Sequence, residues 1–439
     1  MLEQPILSEL YKLVPQINAQ WEIYFLRKKS HIIEGKDLEI ERKKTSFRTS
    51  FSIRVVKDSR AGFANCSIIE KIPEAFNIAL ELAKHSEPDE FINIPKPSEI
   101  KPLSVFDDKI ANINGAISDF LIIMQRSAFF DKRIKKLRNA EINLSIYEIG
   151  IINSEGLAIS NPFTSISAHI ISIAEEEKNS QMGWAYKAER FLKNIDFEGI
   201  GKEASKKALM LLNPKKISPF KGWILLEPSV ASEFLELVCQ SLSAENFQLG
   251  RSIFIDKMNE IVINEDLDII DNGTIPERFG STPFDAEGVP TYKKTLIERG
   301  VLKSLMHNSY TAKRWGMKNS TGNAIRTERG ISVGPTNLYI ESSLTQRSFN
   351  ELLENIDKGI YILEVMGMHT ANPVSGDFSV GVSGIYIEKG ELKYPVKESV
   401  ISGNVSQIFK NIKAVGKDLT FYGNIGTPTL LVEGIDISG

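Results

Sequence analysis

At 439 residues, 42% of them hydrophobic and 25% charged, the chain is long enough for two domains with sizeable cores and has the make-up of an ordinary soluble globular protein. Its 53 Lys and Arg against 56 Asp and Glu leave a net charge of -3, so no overall field draws it to nucleic acid, and the basic runs at 132–138 and 215–216 read as solvated surface. Cys66 and Cys239 are too few for a disulfide framework or a four-cysteine metal site, no apolar run is long enough to span a membrane, and the opening MLEQPILSELYKLVPQINAQW lacks a secretory pattern; the cytoplasm is the expected location.

Taken in order, Ile6, Leu10, Leu13, Val14 and Ile17 share one helical face and predict an amphipathic opening helix. Strand material follows at 21–26, at Leu38 with Ile40, and at 51–55, with a turn over 57–62 leading to Phe63. A helix is expected from Pro73 to Lys84, burying Phe76, Ala79, Leu80 and Ala83. Pro88, Pro95, Pro97 and Pro102 then exclude helix or central strand, which makes 87–104 a linker. The pattern returns with a helix near 110–127, strands at 142–146, 156–159 and 166–170, and a helix from about Ile200 to Leu212. Two similar α+β units packed as one N-terminal domain, 1–213, are inferred, although no sequence repeat supports them.

Beyond Asn213 the composition changes. Short strands broken by Gly, Pro, Asn and Asp turns predict a mainly antiparallel β domain over 214–439, a barrel or sandwich, so the fold class is α+β. Two helices interrupt it: one starting at Pro228 and running to about Glu245, the other following Asn404 as N-cap with Gln407 three residues on. Tyr361–Val365 alternates as a strand, and a hairpin turns at Lys389-Gly390. Between them Gly367–Ser379 is a loop of small and polar residues that lets another backbone approach.

The same region carries a resemblance. NPVSGDFSVGVSGIYIEKGELKYPV (372–396) with VISGNVSQIF (400–409) resembles the C-terminal signature of the TldD/PmbA family of bacterial and archaeal peptidase components. Ser281–Gly316, STGNA (320–324), PTNLYIE (335–341) and GTPTLLVEGIDISG (426–439) extend it. The resemblance implies that the helix from Pro228 should carry HExxxH, two histidines for zinc and a glutamate as base, as in TldD-type members. Counting back from Phe247 and Ser252, the motif positions fall on Leu235, Glu236 and Gln240, so only the glutamate remains. In any register no histidine lies between His169 and His307, and the third ligand of TldD-type members, a cysteine near the C-terminus, has no counterpart after Cys239.

The chain is therefore similar to the TldE (PmbA) branch, the non-zinc subunit. The resemblance implies no metal in this chain, zinc in a TldD-type catalytic partner, and an unfolded peptide as substrate, with a homodimer possible when the chain is alone. PmbA-type proteins are also labelled modulators of DNA gyrase; the charge balance gives no reason for direct DNA contact.

Several side chains admit two readings. Glu236 is a relic base or a solvated surface group, and Cys239, flanked by Leu237, Val238 and Leu242, is a buried small hydrophobe or a nucleophile. His369, Asn372 and Asp377 in the glycine-containing loop either hold peptide or partner or fix the loop itself. Asp285 and Glu287 form either an acid–base pair on a strand or a turn that closes its own backbone, and Asn323 and Arg326 are further candidates for lining a peptide chamber. Two alternatives to the subunit stand: a self-sufficient hydrolase using Asp285, Glu287, His369 or Asp377, and a homo-oligomeric peptide-binding protein.

Overall fold

Apolar side chains at Ile23 and Phe25 on one strand and Phe51, Ile53 and Val55 on the next give a two-stranded surface one buried face. A helix covers it. In the computed structural model, which describes residues 6–439 apart from 114, 328 and 329, this unit is built from α1 (Ile6–Leu13), β1 (Gln20–Lys36), β2 (Glu39–Lys57), β3 (Arg60–Cys66) and α2 (Ile72–His85). The same order then recurs after a short helix, α3 (Asp108–Ala111): α4 (Ile117–Ala128), β4 (Ile134–Asn153), β5 (Ala158–Glu176), β6 (Asn179–Glu189) and α5 (Phe197–Met210). β1 and β4 pair antiparallel, from Glu22 opposite Asn153 to Gly35 opposite Ala140. The six strands thus form one sheet in the order β3-β2-β1-β4-β5-β6.

The two units share a packing device that the sequence alone does not announce. A Cβ on Gly62 of β3 would lie 1.8 Å from the Ala79 carbonyl oxygen and 2.6 Å from the Ala83 nitrogen of α2. On Gly183 of β6 it would lie 2.3 Å from both the Ala204 oxygen and the Ala208 nitrogen of α5. In each unit a helix backbone rests directly on a strand, which only a strand glycine under an Ala-x-x-x-Ala face permits. α2 buries Ile72, Ala75, Phe76, Ala79 and Ala83, whereas Leu80, expected in the stripe, is half-buried at its edge. The helix expected over 110–127 is two pieces, α3 and α4.

Residues 87–107 contain no helix or strand. They are tied to the second half of the chain by Tyr310, whose hydroxyl donates to Asp89 Oδ2 at 2.8 Å, and by Lys313, whose ammonium donates to the Glu90 carbonyl.

The second half opens with β7 (Phe220–Leu226), α6 (Pro228–Ser241) and α7 (Ala244–Gln248). Next come β8 (Leu267–Asn272), β9 (Lys293–Glu298), β10 (Val301–Leu302), α8 (Ser309–Arg314), the hairpin β11 (Ala324–Thr327) and β12 (Gly330–Val333), β13 (Leu338–Ser342) and β14 (Gln346–Arg347). The remainder is α9 (Phe349–Leu353), β15 (Lys358–Met366), β16 (Asp377–Glu388), β17 (Glu391–Asn404), α10 (Val405–Lys410), β18 (Ile412–Gly416), β19 (Thr420–Tyr422), β20 (Ile425–Thr427) and β21 (Leu430–Ser438).

β7, β15, β16, β17 and β21 pair in succession, and β21 pairs back onto β7, so five strands close into a barrel. All these pairings are antiparallel except β7 with β15. A second sheet runs β10-β9-β8-β13-β20-β19. One apolar core joins the two: Val230, Phe234, Leu235 and Val238 of α6 belong to the same buried cluster as Ile360, Ile362 and Phe378 of the barrel and Leu267, Ile269 and Ile297 of the second sheet. The helix expected from Pro228 to Glu245 breaks at Leu242 and Ser243, where α7 begins. The hairpin at Lys389-Gly390 forms with φ of 51° and 76°, the left-handed pair that suits the twist of the flanking strands.

Candidate functional site

Helix α6 is set by its own first residues. Pro228 occupies the first turn, where a missing N–H costs nothing, and the Glu227 side chain caps the helix by accepting from the Ser229 N–H at 2.9 Å. From there the helical period sends Leu235 fully into the core and leaves Glu236 and Gln240 exposed. These three positions therefore do not converge on a shared point. The C-terminal tail meets α6 at its first turn instead: Thr427 Oγ1 donates to the Pro228 carbonyl at 2.8 Å, and the Tyr422 hydroxyl donates to Glu227 Oε1 at 3.3 Å. Lys207 of α5 places its ammonium 3.2 Å from the same Glu227 oxygen.

The face of α6 beyond this junction is acidic. Burial, then the neighbouring charges of Glu236 and Glu364, push the Glu233 carboxyl up to about 7. Burial also raises the carboxyl of Glu364, partly offset by Lys207. Cys239 is 6% exposed and burial pushes its thiol up, so it behaves as a small core residue rather than a thiolate. Zinc needs imidazole, thiolate or converging carboxylate donors. Among the described residues no group of three or more His, Cys, Asp and Glu side chains is placed to hold a metal ion, and Leu235 offers no donor atom.

Asp285, Glu287, Asn323 and Arg326 gather where the second half of the chain meets the six-stranded N-terminal sheet. Asp285 accepts with Oδ1 from the N–H groups of Glu287 and Val289, at 2.9 and 3.0 Å, and with Oδ2 from that of Ala324 at 2.9 Å. It closes its own turn, as the second of the two sequence readings has it. Burial, then the Glu287 charge, raise its carboxyl to about 7 against the pull of those three donors. Glu287 points elsewhere: its oxygens accept from Arg54 Nη1 at 3.1 Å and from the Ser309 N–H at 2.7 Å. Arg54 also reaches Glu22 at 3.1 Å, and Arg326 pairs with Glu22 as well. Burial acts to raise the Glu22 carboxyl, but the two guanidinium groups outweigh it and hold it below its ordinary value. Asn323 donates to Asp271 Oδ2 at 2.8 Å and to the Gly334 carbonyl at 3.0 Å, and Lys294 neutralises Asp271 at 2.9 Å.

This cluster borders a cleft of about 240 Å3 whose other wall is the N-terminal sheet, with Tyr24, Tyr147, Phe163 and Arg190. The Arg190 guanidinium lies over the Phe163 ring at 5.0 Å and donates to the Ser281 carbonyl at 3.0 Å, so it too spans the domains. Sequence reasoning missed Glu22, Arg54, Arg190, Asp271 and Lys294. The available signal was a lone charge inside an apolar strand run: Glu22 between Trp21 and Ile23, Arg54 between Ile53 and Val55.

His369, Asn372 and Asp377 lie apart from this cluster, in an exposed loop whose turn begins at Gly367 with φ of 89°. Asn372 Oδ1 accepts from the N–H groups of Val374 and Ser375 at 2.9 and 3.2 Å. Asp377 accepts from Asn404 Nδ2 at 2.9 Å and Ser375 Oγ at 2.8 Å, which lower its carboxyl below the usual range. The loop is thereby anchored to the start of α10, and His369 is left facing outward.

Family comparison fits this architecture. Descriptions of PmbA/TldA metallopeptidases match three segments in order: domain 1 over residues 21–83, the central domain over 105–212 and the C-terminal domain over 221–439. The metalloprotease PmbA of Escherichia coli O157:H7 is 26% identical over 411 residues, spanning 91% of this chain and 88% of that one. A crystal structure from Thermotoga maritima MSB8, described provisionally as a modulator of a DNA gyrase, superposes with a TM-score of 0.89 at 27% identity, covering 98% of this chain and 99% of the other. That of TldE from Thermococcus kodakarensis superposes with a TM-score of 0.87 at 25% identity, covering 99% of both. With all three domains matched in order, the chain belongs to the PmbA/TldD family of metallopeptidases.

Proposed function

We propose that this chain is the TldE/PmbA-type subunit of a two-component zinc peptidase: it carries no zinc of its own, pairs with a TldD-type subunit that does, and acts with it on unfolded peptides in the cytoplasm. The observation that carries the reading is the content of α6, where Leu235 is sealed in the core and no imidazole is present along the helix. The likeness to TldE from Thermococcus kodakarensis supports it, as does the absence of cysteine from the tail that meets α6. No helix among the described residues is long and apolar enough to cross a membrane. In this reading residues 1–213 and 214–439 are the two domains, joined through the Glu22, Arg54, Glu287 and Arg326 cluster, and His369 is the loop side chain left free to meet peptide or partner.

A self-sufficient hydrolase is less well supported, because Asp285 and Glu287 are each committed to backbone or guanidinium partners and do not act on one point. The test is a peptidase assay on an unstructured peptide with the chain alone, with a TldD-type subunit alone, and with both after co-expression. Hydrolysis that needs the zinc-bearing subunit and co-elution of the two chains is the expected outcome. Turnover by this chain alone with stoichiometric zinc would falsify the proposal.

A further inference from the structure

Between the linker and the second domain lies a groove of about 840 Å3 to which α6 contributes no lining residue. One wall is the segment 93–98 and the other is built from residues around α8 and the turn before β9. Lys96, Lys313 and Lys318 line it, and no aspartate, glutamate or arginine does among the described residues. Among the described residues no carboxylate lines the groove to pair Lys96 or Lys318, whereas Lys313 is tied to the Glu90 carbonyl. Tyr292 is 45% exposed at the groove.

One observation beyond charge points to a ligand: the N–H groups of Asn93, Lys96 and Ser98 donate to no backbone or side-chain acceptor among the described residues. Pro95 and Pro97 keep Ile94 and Lys96 out of helical conformation, so this wall is non-helical backbone with free donors, the kind of template on which another extended chain lies.

We infer that this groove is a docking site for an acidic, extended peptide segment. Lys96 and Lys318 supply the charge, the 93–98 backbone the hydrogen bonds, and Tyr292 an amphipathic contact. Single-stranded nucleic acid fits less well, because such grooves present successive aromatics and arginines, and this one has a single aromatic and no arginine among the described residues. The inference takes peptide as the occupant from the proposed peptidase role, but its test is binding by this chain without zinc or partner, so the two stand or fall separately.

The experiment is fluorescence anisotropy of a short labelled peptide alternating Glu and Ser, titrated with the full chain. The expected result is saturable binding, weakened about tenfold or more by Lys96→Glu/Lys318→Glu and by raising salt above physiological strength, with Lys96→Gln/Lys318→Gln in between. A Gln/Ser peptide of the same length should bind about tenfold more weakly or less tightly still. Both lysines are exposed, and an unchanged melting temperature verifies that the variants fold. Equal affinity of wild type and the charge-reversed variant overturns the inference. So does a single-stranded oligonucleotide that displaces the peptide at lower concentration than unlabelled peptide does.

Discussion

The domain-junction glutamates, fully buried, and the half-buried Glu233 of α6 are treated in opposite ways. At the domain junction Glu22 and Glu287 are 0% and 1% exposed, and each is answered by guanidinium groups from Arg54 or Arg326. On α6 Glu233 has as its nearest charges Glu236 and Glu364, so its carboxyl rises where that of Glu22 falls. A buried ion cluster that satisfies its own charges is a structural joint. Like charges left facing each other form a surface whose neutralisation has to come from protons or from another molecule. That contrast separates a joint closed within the chain from a face whose charges the chain itself leaves unanswered.

Breaking the joint should have the largest effect. Arg54→Leu strips Glu287 of its cation and leaves Glu22 with Arg326 alone, and should cost about 3–5 kcal/mol in urea denaturation, because a buried carboxylate is left unpaired. A loss below about 1 kcal/mol would erase the distinction between the two regions. Lys207→Met comes next. It removes the cation 3.2 Å from Glu227 that also lies 5.3 Å from the Trp184 ring centre, and a loss of about 1–3 kcal/mol is expected in the same measurement.

The acidic face makes a pH-dependent prediction. Glu233 titrates near 7 in the folded chain against 4.5 ordinarily, so the folded state holds a proton that the unfolded state gives up. Its contribution is fully present below about pH 4.5 and is lost as pH rises to about 7. After allowance for solvent screening the loss should be about 1 kcal/mol, and Glu233→Gln should remove that part of the slope. Parallel stability–pH curves for variant and wild type would contradict it. The smallest effect belongs to His369→Ala, an exposed loop position, where the melting midpoint should correspond to a change within about 0.5 kcal/mol.

Local rules were legible in the sequence and distant pairings were not. The helix after Pro228, the Asn404 cap and the Lys389-Gly390 turn follow from residues within a few positions of one another, and all three form. Strand lengths were not legible: β2 runs over 39–57, but its first half is exposed and carries charge rather than apolar alternation, so only Ile40 and 51–55 stood out. Closure of the barrel, in which β7 meets β21 across some two hundred residues, leaves no local trace. Of the candidate residues, Glu287 and Arg326 meet N-terminal strands at Arg54 and Glu22, which lie far away in sequence, whereas Asp285 and Asn323 bond within the second half of the chain. The loop residues His369, Asn372 and Asp377 lie within nine positions of one another, and the loop is tied down by Asn404.

The most direct test of the account is the zinc content of this chain after incubation with stoichiometric zinc and gel filtration, read by elemental mass spectrometry. Retained zinc well below one ion per chain, with full loading only in the complex with a TldD-type subunit, is the result expected. A single tightly held zinc on the isolated chain, lost on Glu236→Gln or Gln240→Ala, would contradict it.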